Sequence, residues 1–292
     1  MSYLTIQSGK ISVIANSVGA VLHSIKKDGI EYLWQGDEKY WKEQDKNLFP
    51  YVGRLTEEKY LYNGKEYPMS IHGFCTDKDF EVENQTDSSV DLILNDSAFT
   101  YERYPFHFSF RISYSVEGNT LKKSCSVKNT GDCEMFFGLG SHPGFNVPLN
   151  GEGKFSDWYF EFPEESSPVR IGFDQTTYRL NDVNTDYPLE NGKILRLDHS
   201  AFDMDAIVLQ NMPKEVTLKS DKSGHSVTAS YPDMEFLGLW HKPYSDAPYV
   251  CIEPWLSLPS HTDFIENIEK QKYLVHLPAG KEYTNTISFE IK

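Results

Sequence analysis

Apolar and polar residues alternate with a period of two through most of the chain, and short clusters of turn residues break the pattern. From His107 to Val116, Phe108, Phe110, Ile112, Tyr114 and Val116 share one face, while His107, Ser109, Arg111, Ser113 and Ser115 share the other. Successive side chains of a strand point to opposite sides, so this spacing predicts a strand with one buried face. Glu117-Gly118-Asn119 then turns the chain, and Leu121 to Val127 aligns Leu121, Cys125 and Val127, predicting a hairpin that ends at Asn129-Thr130-Gly131. Similar pairs recur: Ile11 to Ala15 with Val21 to Ile25, Phe80 to Glu83 with Val90 to Leu94, and Val216 to Lys219 with Ser226 to Ser230.

Helical signals are weak. Only Asp37 to Lys46 and Thr262 to Lys270 offer short candidates, the second with Phe264, Ile265 and Ile268 on one side. No Pro/Gly/Ser-rich or highly charged linker divides the chain, so residues 1–292 are expected to form a single domain. A strand-rich domain of this length has to close its sheets against each other. The predicted fold class is therefore all-β, a large antiparallel β-sandwich.

Charge narrows the function classes. With 28 Lys+Arg against 43 Asp+Glu, the net charge is -15. The basic residues are spread without a cluster, which argues against a nucleic acid partner. No apolar run approaches the roughly 20 residues of a spanning helix, so no membrane partner is expected. The first residues carry neither a basic nor an apolar signal region, and four cysteines without C-x-x-C spacing suggest reduced thiols; a cytoplasmic address follows as the expectation. Oligomeric state has no signature here.

Ionisable residues stand in dense apolar or glycine-rich surroundings at three places, where desolvation would perturb them. His142 lies in Gly138-Leu-Gly-Ser-His-Pro-Gly-Phe-Asn-Val-Pro148, and Glu253 ends the buried-looking run Tyr249-Val-Cys-Ile-Glu-Pro-Trp255. Arg54 follows Gly53 in Asn47-Leu-Phe-Pro-Tyr-Val-Gly-Arg54, with His72 next to Gly73 shortly after. Asp205 precedes the apolar run Ala206-Ile-Val-Leu209, with Asp203 two residues away. Taken singly, each has an ordinary alternative: His142 a core histidine, Glu253 a strand-end acid facing water, Arg54 a surface ion-pair residue, Asp205 a turn aspartate.

In order, Gly53-Arg54, His72-Gly73, Tyr104-Pro105-Phe106, Ser141-His142-Pro143 with Phe145-Asn146, Asp205 and Glu253-Pro254-Trp255 resemble the aldose 1-epimerase (galactose mutarotase) family, from about Ile11 to Ile291. The G-S-H-P-x-F-x-x-P and C-x-E-P-W patterns are similar to its LacX-type branch. The resemblance implies a β-supersandwich with a sugar cleft, His142 as general acid, Glu253 as general base, and Arg54, His72 and Asp205 orienting the substrate. Better known galactose mutarotases carry a longer Asn-His-x-Tyr-Phe-Asn-Leu sequence around the acid, which leaves the sugar open.

Interconverting anomers requires a proton to leave the anomeric hydroxyl while another reaches the ring oxygen, so one acid and one base suffice, with no metal or nucleotide cofactor. Reference pKa values of about 6.5 for His and 4.3 for Glu call for surroundings that keep His142 cationic, with Asp205 as the source, and make Glu253 more basic through Trp255 and desolvation. Trp240, His241 and Trp255 are candidates to line the cleft, as aromatic faces suit a pyranose. Hexose 6-phosphates form the alternative substrate class, with Arg54, Arg103, Arg111 and Lys242 as candidate cations, and a non-catalytic sugar-binding protein is a third possibility. The spacing of His72, His142, His241 and Glu253 matches no metal motif.

Overall fold

The computed structural model describes residues 1–292. The alternation of the central hairpin is realised residue for residue. Phe108–Glu117 pairs antiparallel with Thr120–Asn129, with Phe110 opposite Val127 and Ile112 opposite Cys125. The other three predicted pairs also form antiparallel ladders.

Two large sheets result. A nine-stranded sheet runs in the order Ile194–Arg196, Trp158–Glu161, Glu215–Ser220, Ser226–Ser230, Glu282–Ile291, Thr120–Asn129, Phe108–Glu117, Ser89–Asn95 and Glu81–Gln85. The second sheet follows the path Thr185–Asp186, Val169–Arg170, Ile207–Gln210, Phe236–Trp240, Tyr249–Trp255, Gly140–Ser141 and Asn47–Leu48, with Gly144–Asn146 also paired to Tyr249–Trp255. A four-stranded sheet over Tyr3–Ser8, Ile11–Asn16, Val21–Lys27 and Ile30–Glu31 packs at one side. The fold is all-β with large antiparallel sheets, as expected.

A cluster of 64 buried residues fills the space between the sheets and draws on segments from Leu4 to Ile291. Phe49 stacks on Phe110 at 4.4 Å between ring centroids, and Phe145 meets Phe289 at 5.4 Å. Along Tyr249–Trp255, Val250 and Ile252 enter this core, while Tyr249, Cys251 and Trp255 belong to smaller apolar clusters. The period of two thus gives the second sheet one face for the core and one face for a cleft.

Neither helix candidate forms. Residues 37–46 are turns whose far end pairs elsewhere: His142 N donates to Lys46 O at 3.0 Å and Gly144 N to Gln44 O at 2.9 Å. Residues 262–270 are likewise used by other segments, with Leu61 N donating to Glu266 O and Ile268 N to Leu61 O. Tertiary backbone pairing overrides the weak local periodicity, since an isolated helix this short is marginal. The one α-helix, Ala98–Arg103, was not anticipated; Ser97 caps it, its hydroxyl accepting from Thr100 N while Thr100 Oγ1 accepts from Ser97 N. No helix is long and apolar enough to cross a membrane.

Candidate active site

Two motif segments lie side by side because the strands carrying them are neighbours. Gly140 pairs with Trp255 on one side and Leu48 on the other, and Gly144 pairs with Cys251. The ladder brings His142 against Glu253, with Nε2 of the first 3.3 Å from Oε1 of the second. Across Glu253 the sheet continues with Gly238, where an added Cβ would stand 3.1 Å from both Glu253 Cβ and Trp255 Cζ2. Glycine is the residue that lets the two strands close here.

His72 and Gly53 hold each other through backbone and ring. His72 N donates to Gly53 O at 2.9 Å, and Gly53 N donates to His72 Nδ1 at 3.2 Å, so the ring accepts at Nδ1 and presents Nε2 as its N–H. Gly53 has φ +75° and faces Pro259, whose Cγ lies 2.3 Å from where a Cβ would be. His72 and Asp205 are non-glycine residues with φ of 64° and 67°, a strained region that surrounding contacts must impose and that clusters at functional sites. Asp205 is held by the Trp240 indole, which donates from Nε1 to Oδ1 at 2.7 Å. Asp203 faces elsewhere, with Oδ1 accepting from Tyr244 N.

Arg54, His72, His142, Asp205, Trp240, Glu253 and Trp255 all line one cavity of about 200 Å³. Sequence reasoning missed Trp41, Lys46, Phe173 and Tyr178 in its wall. Trp41 and Trp240 flank the His142 ring at centroid distances of 5.0 and 5.6 Å, and the Arg54 guanidinium lies 5.3 Å over the Tyr178 ring. No periodicity marks Trp41 or Lys46; their signal is compositional, two tryptophans and several charges in the short irregular segment 34–46.

Other expected residues lie outside the cavity. His241 is buried, with Nδ1 on Lys242 O and Nε2 3.2 Å from His199 Nδ1, because it follows the inward Trp240 and turns away from the cleft. Arg111 is engaged by Glu83, Arg103 by the Phe99 ring and carbonyl, and Lys242 by Lys39 O. The cations in the cleft are Arg54 and Lys46, the latter 3.7 Å from Glu43.

Electrostatics depart from expectation at His142. Burial pushes its pKa down to about 3, and Lys46 and Lys123 press the same way, so the ring rests neutral. Asp205 acts instead on Glu253, whose carboxyl is raised well above its ordinary value, first by burial and then by that neighbouring acid. Trp255 opposes this rise, contrary to its expected role, although its indole Nε1 has no protein partner in hydrogen-bond geometry. Burial thus favours the neutral form of each group. His72 is also driven well down, first by burial, then by His142, Lys46 and Arg54.

Buried Nδ1 of His142 and Nε1 of Trp255 lack protein partners, and orphaned polar atoms at a cavity mark where a ligand's groups are expected. His142, Cys251 and Glu253 bring donor atoms within 4.8 Å of one another. Burial holds the Cys251 thiol well above its usual value.

A His–Glu pair thus stands under aromatic walls with a cation and hydrogen-bonding groups around it, a set of groups chemically able to exchange protons with a small molecule in the cavity. The chain belongs to the aldose 1-epimerase family, whose model matches residues 2–290. It is 35% identical over 266 residues to the plasmid-encoded protein LacX of Lactococcus lactis subsp. lactis, covering 88% of this chain and 86% of that one. The galactose mutarotase related enzyme of Lactobacillus acidophilus is similar at 33% identity and a TM-score of 0.95, over 100% of this chain and 97% of the other. A galactose mutarotase-like protein from Lactobacillus casei matches at 29% identity and a TM-score of 0.93, covering both chains in full.

Proposed function

We propose that this protein is an aldose 1-epimerase that interconverts the α and β anomers of a free hexose such as galactose or glucose, with His142 and Glu253 as its proton-exchanging pair. The observation that carries the proposal is the 3.3 Å contact between His142 Nε2 and Glu253 Oε1 at the cavity wall. One proton on the pair is what the chemistry needs. Once sugar hydroxyls enter, that proton passes from Glu253 to His142. His142 then gives it to the ring oxygen while Glu253 takes the proton of the anomeric hydroxyl; the C1–O5 bond breaks and the C1=O1 double bond forms. Rotation about C1–C2 presents the other carbonyl face. O5 attacks C1, O1 regains its proton from Glu253, and O5 returns its proton to His142.

Arg54, His72 and Asp205 would bond the hydroxyls, and Trp240, Trp255 and Trp41 would pack on the C–H faces of the ring. Two well-placed proton transfers of about 10²–10⁴ each supply enough acceleration for a reaction that already runs slowly in water. The continuous core supports one domain over residues 1–292, and four unpaired thiols, three of them buried, fit a reducing cytoplasm.

Lys46 alongside Arg54 in the cavity favours a second reading, in which the sugar carries a 6-phosphate. Polarimetry on freshly dissolved α-D-galactose, α-D-glucose and glucose 6-phosphate separates the two. The proposal expects equilibration of a free hexose well above the spontaneous rate. Acceleration of the phosphate alone would transfer the activity to sugar phosphates, and no acceleration of any of the three would leave a sugar-binding protein without turnover.

A further inference from the structure

Lys123 is the one lysine or arginine that is fully buried, and the acid–base chemistry described above does not use it. It stands on the inward face of Thr120–Asn129, between Leu121 and Cys125, opposite Tyr114. Its ammonium donates to Ser141 Oγ at 2.7 Å, and Ser141 is itself wholly enclosed and immediately precedes His142. Asp45, 2% exposed, lies in the segment that pairs with the other side of His142: His142 N donates to the carbonyl of Lys46, the residue after Asp45. Asp45 Oδ2 accepts from Leu22 N at 2.9 Å, and burial raises its carboxyl pKa, which the charge of Lys123 opposes.

A buried ion is expensive unless compensated, and a buried pair is seldom the most stable filling for its volume. An apolar residue at position 123 would continue the face of Leu121, Cys125 and Val127 without that cost. We propose that Lys123 is a positioning residue for His142: its ammonium holds the Ser141 hydroxyl and through it fixes where the imidazole of the next residue stands against Glu253. This rests on the acid–base reading of that pair. Orientation is the stake, because a displacement of about 1 Å at a reacting group costs on the order of 10²-fold in rate.

The charge of Lys123 also reaches the ring. The groups facing His142 are Glu253 across the contact, Cys251 on the same strand, His72 at its edge, Lys46 and Asp45 from the irregular segment, Lys123 from below, and Arg54 and Asp205 from the cavity walls. Among these, Lys46 and Lys123 disfavour the imidazolium. Removing the Lys123 cation therefore moves His142 titration to higher pH.

Three variants and two readouts test this. Ser141→Ala removes the hydrogen bond and keeps both charges; Lys123→Met together with Asp45→Asn removes both charges at similar volume, so that neither is left buried alone. With folding followed by thermal melting, the positioning role predicts kcat lowered about tenfold in Ser141→Ala and about 10²-fold in the double variant, with KM little changed. The ring signals of His142 in isotope-labelled protein are expected to titrate at higher pH in Lys123→Met alone, which keeps the Asp45 carboxyl. A folded double variant with wild-type kcat, or a folded Lys123→Met with unmoved His142 titration, would overturn the proposal. If the double variant does not fold, wild-type kcat in Ser141→Ala overturns it. Should the wild-type protein accelerate no anomerisation, the enzymatic reading fails on its own, and the His142 titration still decides whether Lys123 acts on that ring.

Discussion

His142 and Glu253 link stability to pH through a single proton. Burial favours a neutral His142 and a protonated Glu253 in the native state, and that arrangement holds one proton. Between about pH 4.5 and 6.5 the unfolded chain also holds one, on the histidine rather than the carboxylate, so the pair contributes no slope there. Below about 4.5 the unfolded glutamate gains a second proton, and stability falls as the pH drops. Above about 6.5 the unfolded histidine loses its proton while native Glu253 keeps its own, and stability falls as the pH rises toward the raised Glu253 value. Glu253→Gln is therefore expected to abolish the pair's loss of stability on the alkaline side, by up to about 1.4 kcal/mol per pH unit, as read from unfolding curves across pH 6–9; an unchanged alkaline slope would contradict the assigned proton. The two residues were legible in sequence because each sits in an apolar, punctuated motif. Their protonation was not, because the desolvation that reverses the expected charge on His142 comes from segments far away in the chain.

At the scale of elements, the site is a ladder. Residues 138–144 lie between 44–50 and 251–256, and the cleft face of that ladder depends on a glycine opposite Glu253. Gly238→Ala inserts a methyl group 3.1 Å from two side-chain atoms, which is overpacking with a typical cost of about 1–3 kcal/mol. The variant should fold with a lowered melting temperature and a kcat reduced more than stability alone explains; wild-type kcat would show that the Glu253 position tolerates movement. Alternation predicted the hairpins well, since burial and pairing there are local. Lys123 falls in the same period, between Leu121 and Cys125, but the sequence reading aligned only Leu121, Cys125 and Val127, because a lysine on an apolar face gives no hydrophobic signal. Residues 37–46 were misread as helical because their backbone partners, His142 and Gly144, lie about a hundred positions away.

Over the whole molecule, closure depends on the last strand. Glu282–Ile291 inserts between Ser226–Ser230 and Thr120–Asn129 and pairs with both, with Thr120 opposite Glu290. Removing 282–292 would expose two strand edges in the middle of the larger sheet, together with Ile287, Phe289 and Ile291 from the core. Such a truncation is expected to aggregate or to lose cooperative unfolding, as followed by circular dichroism and gel filtration; a truncated chain that melts cooperatively would contradict this role. Strand order was hidden in the sequence because pairing across such separations is decided by loop closure and shared burial, which no local window contains. The sandwich class was visible all the same, since alternating strands without long helices have few other ways to bury one face.

The exchange rate between α and β anomer signals of glucose or galactose, measured by NMR at equilibrium and neutral pH with catalytic amounts of protein, tests the central claim most directly. Wild-type protein is predicted to add an exchange term proportional to its concentration, and Glu253→Gln and His142→Asn, each confirmed as folded, to lose it by about 10²–10⁴. Exchange that persists at the wild-type rate in either variant would show that the pair is not the proton-exchanging centre.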